Sequence, residues 1–191
     1  MDFASLALQC APNVPLVTIQ ALVKTESSFN PFAIGVVNGA LERQPRSLDE
    51  ALAAIRNLDK LGYKYSAGLS QIFVGNWPKY GLTQVSVFDT CQNLRVGGII
   101  LGGCFTSAKR KFPAADEQAL LGAAFSCYYS GNFQTGFKAG YVQTVIANAL
   151  GKSASSVRPP AGQGGAKARA PREREILNPD FEGVQRPVTQ G

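Results

Sequence analysis

The sequence changes character at Leu150-Gly151, and that change limits what this chain can fold into. Beyond it the text reads "GKSASSVRPPAGQGGAKARAPREREILNPDFEGVQRPVTQG", rich in Pro, Gly, Ser and Arg and almost without apolar periodicity. Such a segment cannot bury enough apolar surface to offset the entropy of ordering it. Residues 151–191 are therefore expected to form a disordered, mildly basic tail. Within it, Ile176-Leu177-Asn178-Pro179-Asp180-Phe181 could dock on a partner, although a tail without a docking role is the plainer reading. The core must then come from residues 1–150, one domain in a chain that is 45% apolar.

That domain reads as helical. A first core helix is expected from about Val14 to Glu26, with Pro15 in its first turn and Val14, Val17 and Ala21 on one face, Leu22 beside them. Ser47-Leu48-Asp49-Glu50 fits an S-x-x-E capping box and opens a second helix that stops at Gly62. A third runs from about Val87 to Lys109 despite Gly97, Gly98, Gly102 and Gly103, which imply close packing or a break. A fourth, about Ala115 to Tyr129, is apolar nearly all round and belongs in the centre. Phe133, Phe137, Tyr141 and Val145 suggest a fifth by their four-residue spacing. Between the second and third lies "YKYSAGLSQIFVGNWPKYG", suited to loops or a short hairpin near 66–75.

Composition removes several chemistries. There is no histidine, so Ser-His and Cys-His nucleophiles and imidazole metal sites are absent. Cys10, Cys91, Cys104 and Cys127 lack zinc-site spacing, and no metal site is expected. Their even number favours two disulfides and an oxidising compartment over four buried thiols. If Cys91 and Cys104 share a helix they stand roughly 20 Å apart, too far to bond. Of the two remaining connectivities, Cys10–Cys91 with Cys104–Cys127 is preferred. The net charge of +6 suits an acidic partner such as nucleic acid, a membrane surface or an anionic wall polymer. No basic stripe with aromatics, phosphate loop or zinc finger supports nucleic acid. No apolar segment is long enough to span a membrane. Met1-Asp2-Phe3 opens with an acid and lacks a basic n-region, so no signal peptide is read, and the export implied by the cysteines is unexplained.

Three constellations can carry chemistry. Glu26 closes a helix buried on one face, where the negative helix end and the apolar neighbours Phe29 and Ile34 disfavour its ionised form. A carboxyl held protonated near neutral pH is what a general acid requires. The alternative is a glutamate that merely ends an amphipathic helix on its solvent side. Gly68-Leu69-Ser70-Gln71-Ile72 offers close backbone approach and an amide side chain, or else a turn into a strand. Ser126-Cys127-Tyr128-Tyr129-Ser130-Gly131 ends the central helix, and Tyr128 either places a hydroxyl in a pocket or packs in the core.

Together and in this order these pieces resemble a family. Glu26-Ser27, Asn30-Pro31-Phe32-Ala33-Ile34-Gly35, Gly68-Leu69-Ser70-Gln71-Ile72, Asp89-Thr90-Cys91-Gln92-Asn93-Leu94 and Cys127-Tyr128-Tyr129-Ser130-Gly131 match, in sequence, the motifs of lysozyme-like lytic transglycosylases of the goose-type lysozyme superfamily. The opening Cys10-Ala11-Pro12 is similar to the subgroup that accompanies type IV secretion systems. The match covers about residues 7–146, with Ser70 in place of the usual Met and Tyr129 in place of the usual Asn. The resemblance implies a mainly α, lysozyme-like domain, a periplasmic location, and peptidoglycan glycan strands as substrate.

It also implies a mechanism with one acid and no cofactor. Ordinary glycosidases flank the bond with two carboxylates. The other candidates, Glu42, Asp49, Glu50, Asp59 and Asp89, lie in no motif of that kind, and Asp49 and Glu50 are spent on a helix start. Glu26 would act as acid and then base while the substrate's N-acetyl group assists, giving a 1,6-anhydro product. Ser27, Gly68, Leu69, Gln71, Tyr128 and Tyr129 would hold the sugars, and Asn93 would brace the fold. Trp77, Tyr63 and Tyr65 either stack on sugar or pack. The rival readings are a non-catalytic peptidoglycan-binding or scaffold component, and a hydrolytic lysozyme with a second carboxylate. Secretion components would be partners, reached through residues 151–191.

Overall fold

The computed structural model describes residues 2–151 and the backbone of 175–177. Eight α-helices lie among the described residues: α1 (Phe3–Cys10), α2 (Leu16–Ser27), α3 (Leu48–Lys60), α4 (Trp77–Tyr80), α5 (Thr90–Lys111), α6 (Glu117–Ser130), α7 (Thr135–Lys138) and α8 (Tyr141–Ala149). The mainly α class expected from the sequence is what the described residues adopt.

Helix starts follow local chemistry. Ser47 caps α3 by accepting the Glu50 N–H at 3.2 Å. Glu50 does not close the box on Ser47; its carboxylate accepts from Arg46 N–H at 3.0 Å and from the Arg43 guanidinium at 2.7 Å. Asp89 and Asp116 cap α5 and α6 in the same way, accepting from Gln92 and Ala119 N–H at 2.8 Å each.

Three expectations need correction. Val17 is 55% exposed, whereas α2 buries Thr18, Ile19, Ala21, Leu22 and Val23, because α1 and α8 pack on that side. The segment 133–149 is not one helix: Gly140 sits at φ +78° and separates α7 from α8. Val87 lies in a short 3-10 turn, so α5 begins only behind the Asp89 cap.

A small sheet faces the helices. β1 (Ile34–Val36), β3 (Tyr65–Ala67) and β4 (Ile72–Phe73) form an antiparallel sheet in the order β1-β3-β4, with Ile34 opposite Ala67 and Ala67 opposite Ile72. The β3–β4 pair is the hairpin expected near 66–75. β2 (Gly39–Leu41) pairs in parallel with β5 (Glu175–Leu177). Of the Ile176–Phe181 motif only Ile176 and Leu177 are placed, opposite Ala40 and Leu41, and the rest of the expected tail lies outside the described residues.

Two large hydrophobic clusters, with a small third at Ala108, Leu120 and Ala123, form the core of the described residues. One joins α1, α2, α6, α8 and part of α5 around Ile19, Leu22, Leu94, Leu101 and Phe125. The other joins the sheet, α3 and α4 around Ile34, Ile55, Leu58, Tyr65 and Ile72. Helix α5 serves both, with Leu101 in the first and Val96 in the second. Its glycines divide by position: a side chain at Gly97 would strike Ser70 Oγ at 2.5 Å, whereas nothing stands within 4 Å of one at Gly102 or Gly103.

The cysteines form the preferred pairs. Cys10–Cys91 ties α1 to the start of α5, and Cys104–Cys127 ties α5 to α6, with Cα separations of 5.1 and 5.7 Å. Among the described residues no helix is long and apolar enough to cross a membrane. No cluster of three or more His, Cys, Asp or Glu suited to a metal occurs there either.

Candidate active site

Glu26 stands on the last turn of α2, one residue before its end. Ser28 and Phe29 then take positive φ of 51° and 65°, turning the chain sharply towards β1. The Asn30 carboxamide fixes the turn, accepting Phe32 N–H at 2.9 Å and donating to Pro45 O at 3.2 Å.

A cleft of about 300 Å³ opens at Glu26. Its walls include Gly35, Ser66, Gln71 and Phe73 from the sheet side, Ile100 from α5, and Tyr128 and Tyr129 from α6. Glu26 is the single acid among these lining residues. Val37, Phe73 and Tyr129 are 47%, 38% and 49% exposed and give the rim an apolar character.

The Glu26 side chain keeps an opening to the cleft, but protein surrounds its carboxyl. Removal from water raises its pKa to about 7, and a hydrogen bond donated by the Tyr141 hydroxyl pulls the other way without overcoming that. The same burial, with the Glu26 charge beside it, drives the Tyr141 phenol well above its ordinary value. Helix α8 is locked to α2 at a second point, where the Asn148 carboxamide donates to Thr25 Oγ1 at 2.9 Å.

The opposite wall is the loop 67–71. Asn93 is fully buried and holds it with three hydrogen bonds, donating to Ala67 O at 3.0 Å and Val87 O at 2.8 Å while accepting Ser70 N–H at 2.7 Å. The Tyr128 hydroxyl donates to Ser70 O at 2.5 Å. The Gln71 carboxamide donates to Ala33 O and Gly68 O, both at 2.9 Å, and Gly68 N–H also reaches Ala33 O at 2.9 Å. Gly68 has φ +82°, and a Cβ there would lie 2.1 Å from Asn93 Nδ2. A Cβ at Gly35 would meet Gln71 Oε1 at 2.8 Å. The Asn30–Gly35 and Gly68–Ile72 motifs are thus two halves of one hydrogen-bonded support.

Of the residues singled out in the sequence, Glu26, Gln71, Tyr128 and Tyr129 meet at this cleft. Ser27, Gly68 and Leu69 are buried and are not among its lining residues. Ser27 donates its hydroxyl to Val23 O at 3.1 Å, within its own helix. Trp77 and Tyr65 pack edge to face, with ring centroids 5.7 Å apart, inside the sheet-side cluster. The other acids weighed as partners are engaged elsewhere or exposed: Glu50 with Arg43, Asp59 with Tyr65 and Gln84, Asp89 as a cap, and Glu42 at the surface.

Tyr141 is the functional residue that sequence reasoning missed. Four-residue spacing puts Tyr141 on the packing face of one helix with Phe133 and Phe137, whereas a new helix starts after Gly140 and the Tyr141 hydroxyl donates to Glu26. The only signal was a tyrosine immediately after a glycine.

Comparison with known proteins gives the family. The transglycosylase SLT domain matches residues 4–149. The chain is 50% identical over 154 residues to the type IV secretion system protein virB1 of Brucella abortus (strain 2308) and to that of Brucella suis biovar 1, covering 78% of this chain and 64% of each relative. It is 33% identical over 148 residues to the protein virB1 of Agrobacterium fabrum, covering 75% of this chain and 58% of that one. The chain therefore spans less than two thirds of the length of these relatives. No solved structure matches it significantly. With the domain signature running through all eight helices and across the cleft, this chain belongs to the transglycosylase SLT domain family.

Proposed function

We propose that this protein is a peptidoglycan lytic transglycosylase that opens the cell wall locally for a type IV secretion apparatus. The observation that carries the reading is the solitary acid: Glu26 supplies the one carboxyl among the cleft's lining residues, and removal from water pushes its pKa up to about 7. A cleft with one acid supports a reaction in which the substrate supplies its own nucleophiles.

Protonated Glu26 gives its proton to the glycosidic oxygen between N-acetylmuramic acid and N-acetylglucosamine. The bond from that oxygen to muramyl C1 breaks, and the muramyl N-acetyl oxygen bonds to C1 in its place. Glu26, now a carboxylate, removes the proton from the muramyl 6-hydroxyl. The freed oxygen attacks C1, the N-acetyl oxygen leaves, and a 1,6-anhydro ring closes. Glu26 ends protonated and no water is consumed. Tyr141 steadies the carboxylate between the two proton transfers. The braced loop 67–71 presents Gln71 Oε1 to the sugar, and the apolar rim of Phe73 and Tyr129 suits the flat faces of pyranose rings.

Names of relatives support the secretion context, and the paired cysteines suit the periplasm. The 151–191 segment is the proposed contact with secretion components. The test is mass spectrometry of peptidoglycan digested by the full chain and by Glu26→Gln. Anhydro-muropeptides, reduced about 10²–10⁴-fold in the variant, are expected. Reducing ends would mean a hydrolase with a second carboxylate, and retained wall binding without products would mean a scaffold.

A further inference from the structure

The stacking of two tyrosines in the cleft has no part in the reaction as written. The rings of Tyr129 and Tyr141 lie 4.6 Å apart, inclined by 23°. Tyr141 hydrogen-bonds to Glu26 and Tyr129 does not, yet Tyr129 lines the cleft while Tyr141, stacked on it, is not among the lining residues. We propose that Tyr129 is a positioning residue for Glu26: its ring clamps Tyr141 and keeps cleft water off the Tyr141–Glu26 hydrogen bond.

Tyr141 is the first residue of α8, directly after Gly140, so its main-chain N–H has no partner within the helix. An aromatic stack adds specific contact beyond its buried area and holds the ring in plane. Tyr129 is itself fixed by helix α6 and by its neighbour Tyr128, whose hydroxyl is committed to Ser70 O. A small side chain at 129 would open a path for water to the carboxyl.

The titratable groups facing Glu26 are Tyr141 from α8 and Tyr128 and Tyr129 from α6, with Tyr80 beyond Tyr128; the sheet side presents the uncharged Ser66 and Gln71. Two effects of losing the 129 ring oppose each other. Water entering would lower the Glu26 midpoint, and a loosened Tyr141 bond would raise it. Tyr129 is half exposed at the cleft, so losing its ring opens the cleft directly, whereas Tyr141 keeps its place on α8; hydration wins and the midpoint falls.

The experiment measures the Glu26 carboxyl by 13C NMR titration in the full chain, for wild type and for Tyr129→Phe, Tyr129→Leu and Tyr129→Ala. Tyr129→Phe keeps the stack and is expected to keep the wild-type midpoint. Tyr129→Ala is expected to lower it by about one pH unit, with Tyr129→Leu between. The alkaline limb of peptidoglycan cleavage should move down in step; only this second readout rests on the proposed function. Position 129 is half exposed, so the variants should fold, and Tyr129→Leu keeps most of the bulk if Tyr129→Ala does not. A midpoint that stays or rises in the variant lacking the ring overturns the proposal. So does a higher KM with an unmoved pH profile, which would make Tyr129 a sugar contact alone. If the titration shifts as expected but wild type cleaves no peptidoglycan, the proposed function fails and this inference stands.

Discussion

The two walls of the cleft are built on opposite principles. In the loop wall, Asn93, Tyr128 and Gln71 give their polar groups to backbone partners, and Gly68 fits where no Cβ would. In the helix wall, a carboxyl is held where water should be, with one phenol for company. The first wall lowers the energy of the fold. The second raises it and keeps the difference at the carboxyl to which the proposed reaction assigns both proton transfers. Substitutions should therefore cost stability on the loop wall and add stability on the acid wall.

The largest effect is expected from Gly68→Ala. A φ of +82° and overlap with Asn93 Nδ2 at 2.1 Å and Val87 O at 2.6 Å leave no room for a methyl group. The loss should exceed about 3 kcal/mol, read as a fall in the denaturation midpoint. If Gly68→Ala melts like wild type, the loop wall is not the rigid side.

Glu26→Gln sharpens the contrast by carrying the opposite sign. Burial pushes the Glu26 carboxyl up to about 7 in the folded chain from its ordinary value of 4.5. Below pH 4.5 it is protonated in both states and contributes no difference. Between 4.5 and 7 the unfolded chain ionises freely while the folded one does not, so stability falls as pH rises through that window. Above pH 7 the deficit reaches up to about 3 kcal/mol. Glu26→Gln should remove it, so the variant melts higher than wild type at pH 8 and alike at pH 4. Equal melting at both pH values would mean that the acid wall stores nothing.

Tyr141→Phe tests the smallest asymmetry. It removes the one bond that favours the carboxylate, so the Glu26 midpoint should rise by up to about one pH unit. The alkaline limb of activity should follow it upward. A fall instead would show that the phenol was excluding water more than stabilising charge.

How much of this was legible in the sequence follows from distance along the chain. The α3, α5 and α6 starts are written locally in Ser47, Asp89 and Asp116, whose side chains reach N–H groups three residues on. Glu26 was legible because its exceptional position, a helix end beside an apolar turn, is also local. Tyr141 was not: it meets Glu26 across 115 residues, and four-residue spacing gave it a sufficient role in packing. Strands β1 and β2 went unread because three residues each cannot display an alternation. Gln71 lines the cleft, yet its donors turn inward to carbonyls that only the folded loop brings near.

The two disulfides share α5, and this gives the molecule a dependence on its redox surroundings. Cys10–Cys91 closes a loop of 81 residues and Cys104–Cys127 one of 23. In chain-entropy terms these closures restrict the unfolded chain by about 4.5 and about 3.4 kcal/mol respectively. A domain of this size has only about 5–15 kcal/mol in hand. Among reducing thiols the same sequence would hold α5, and with it both Asn93 and the floor of the cleft, on a much thinner margin. Oxidation is therefore part of what assembles the site, and a chain still in a reducing compartment carries its acid on an unfastened frame.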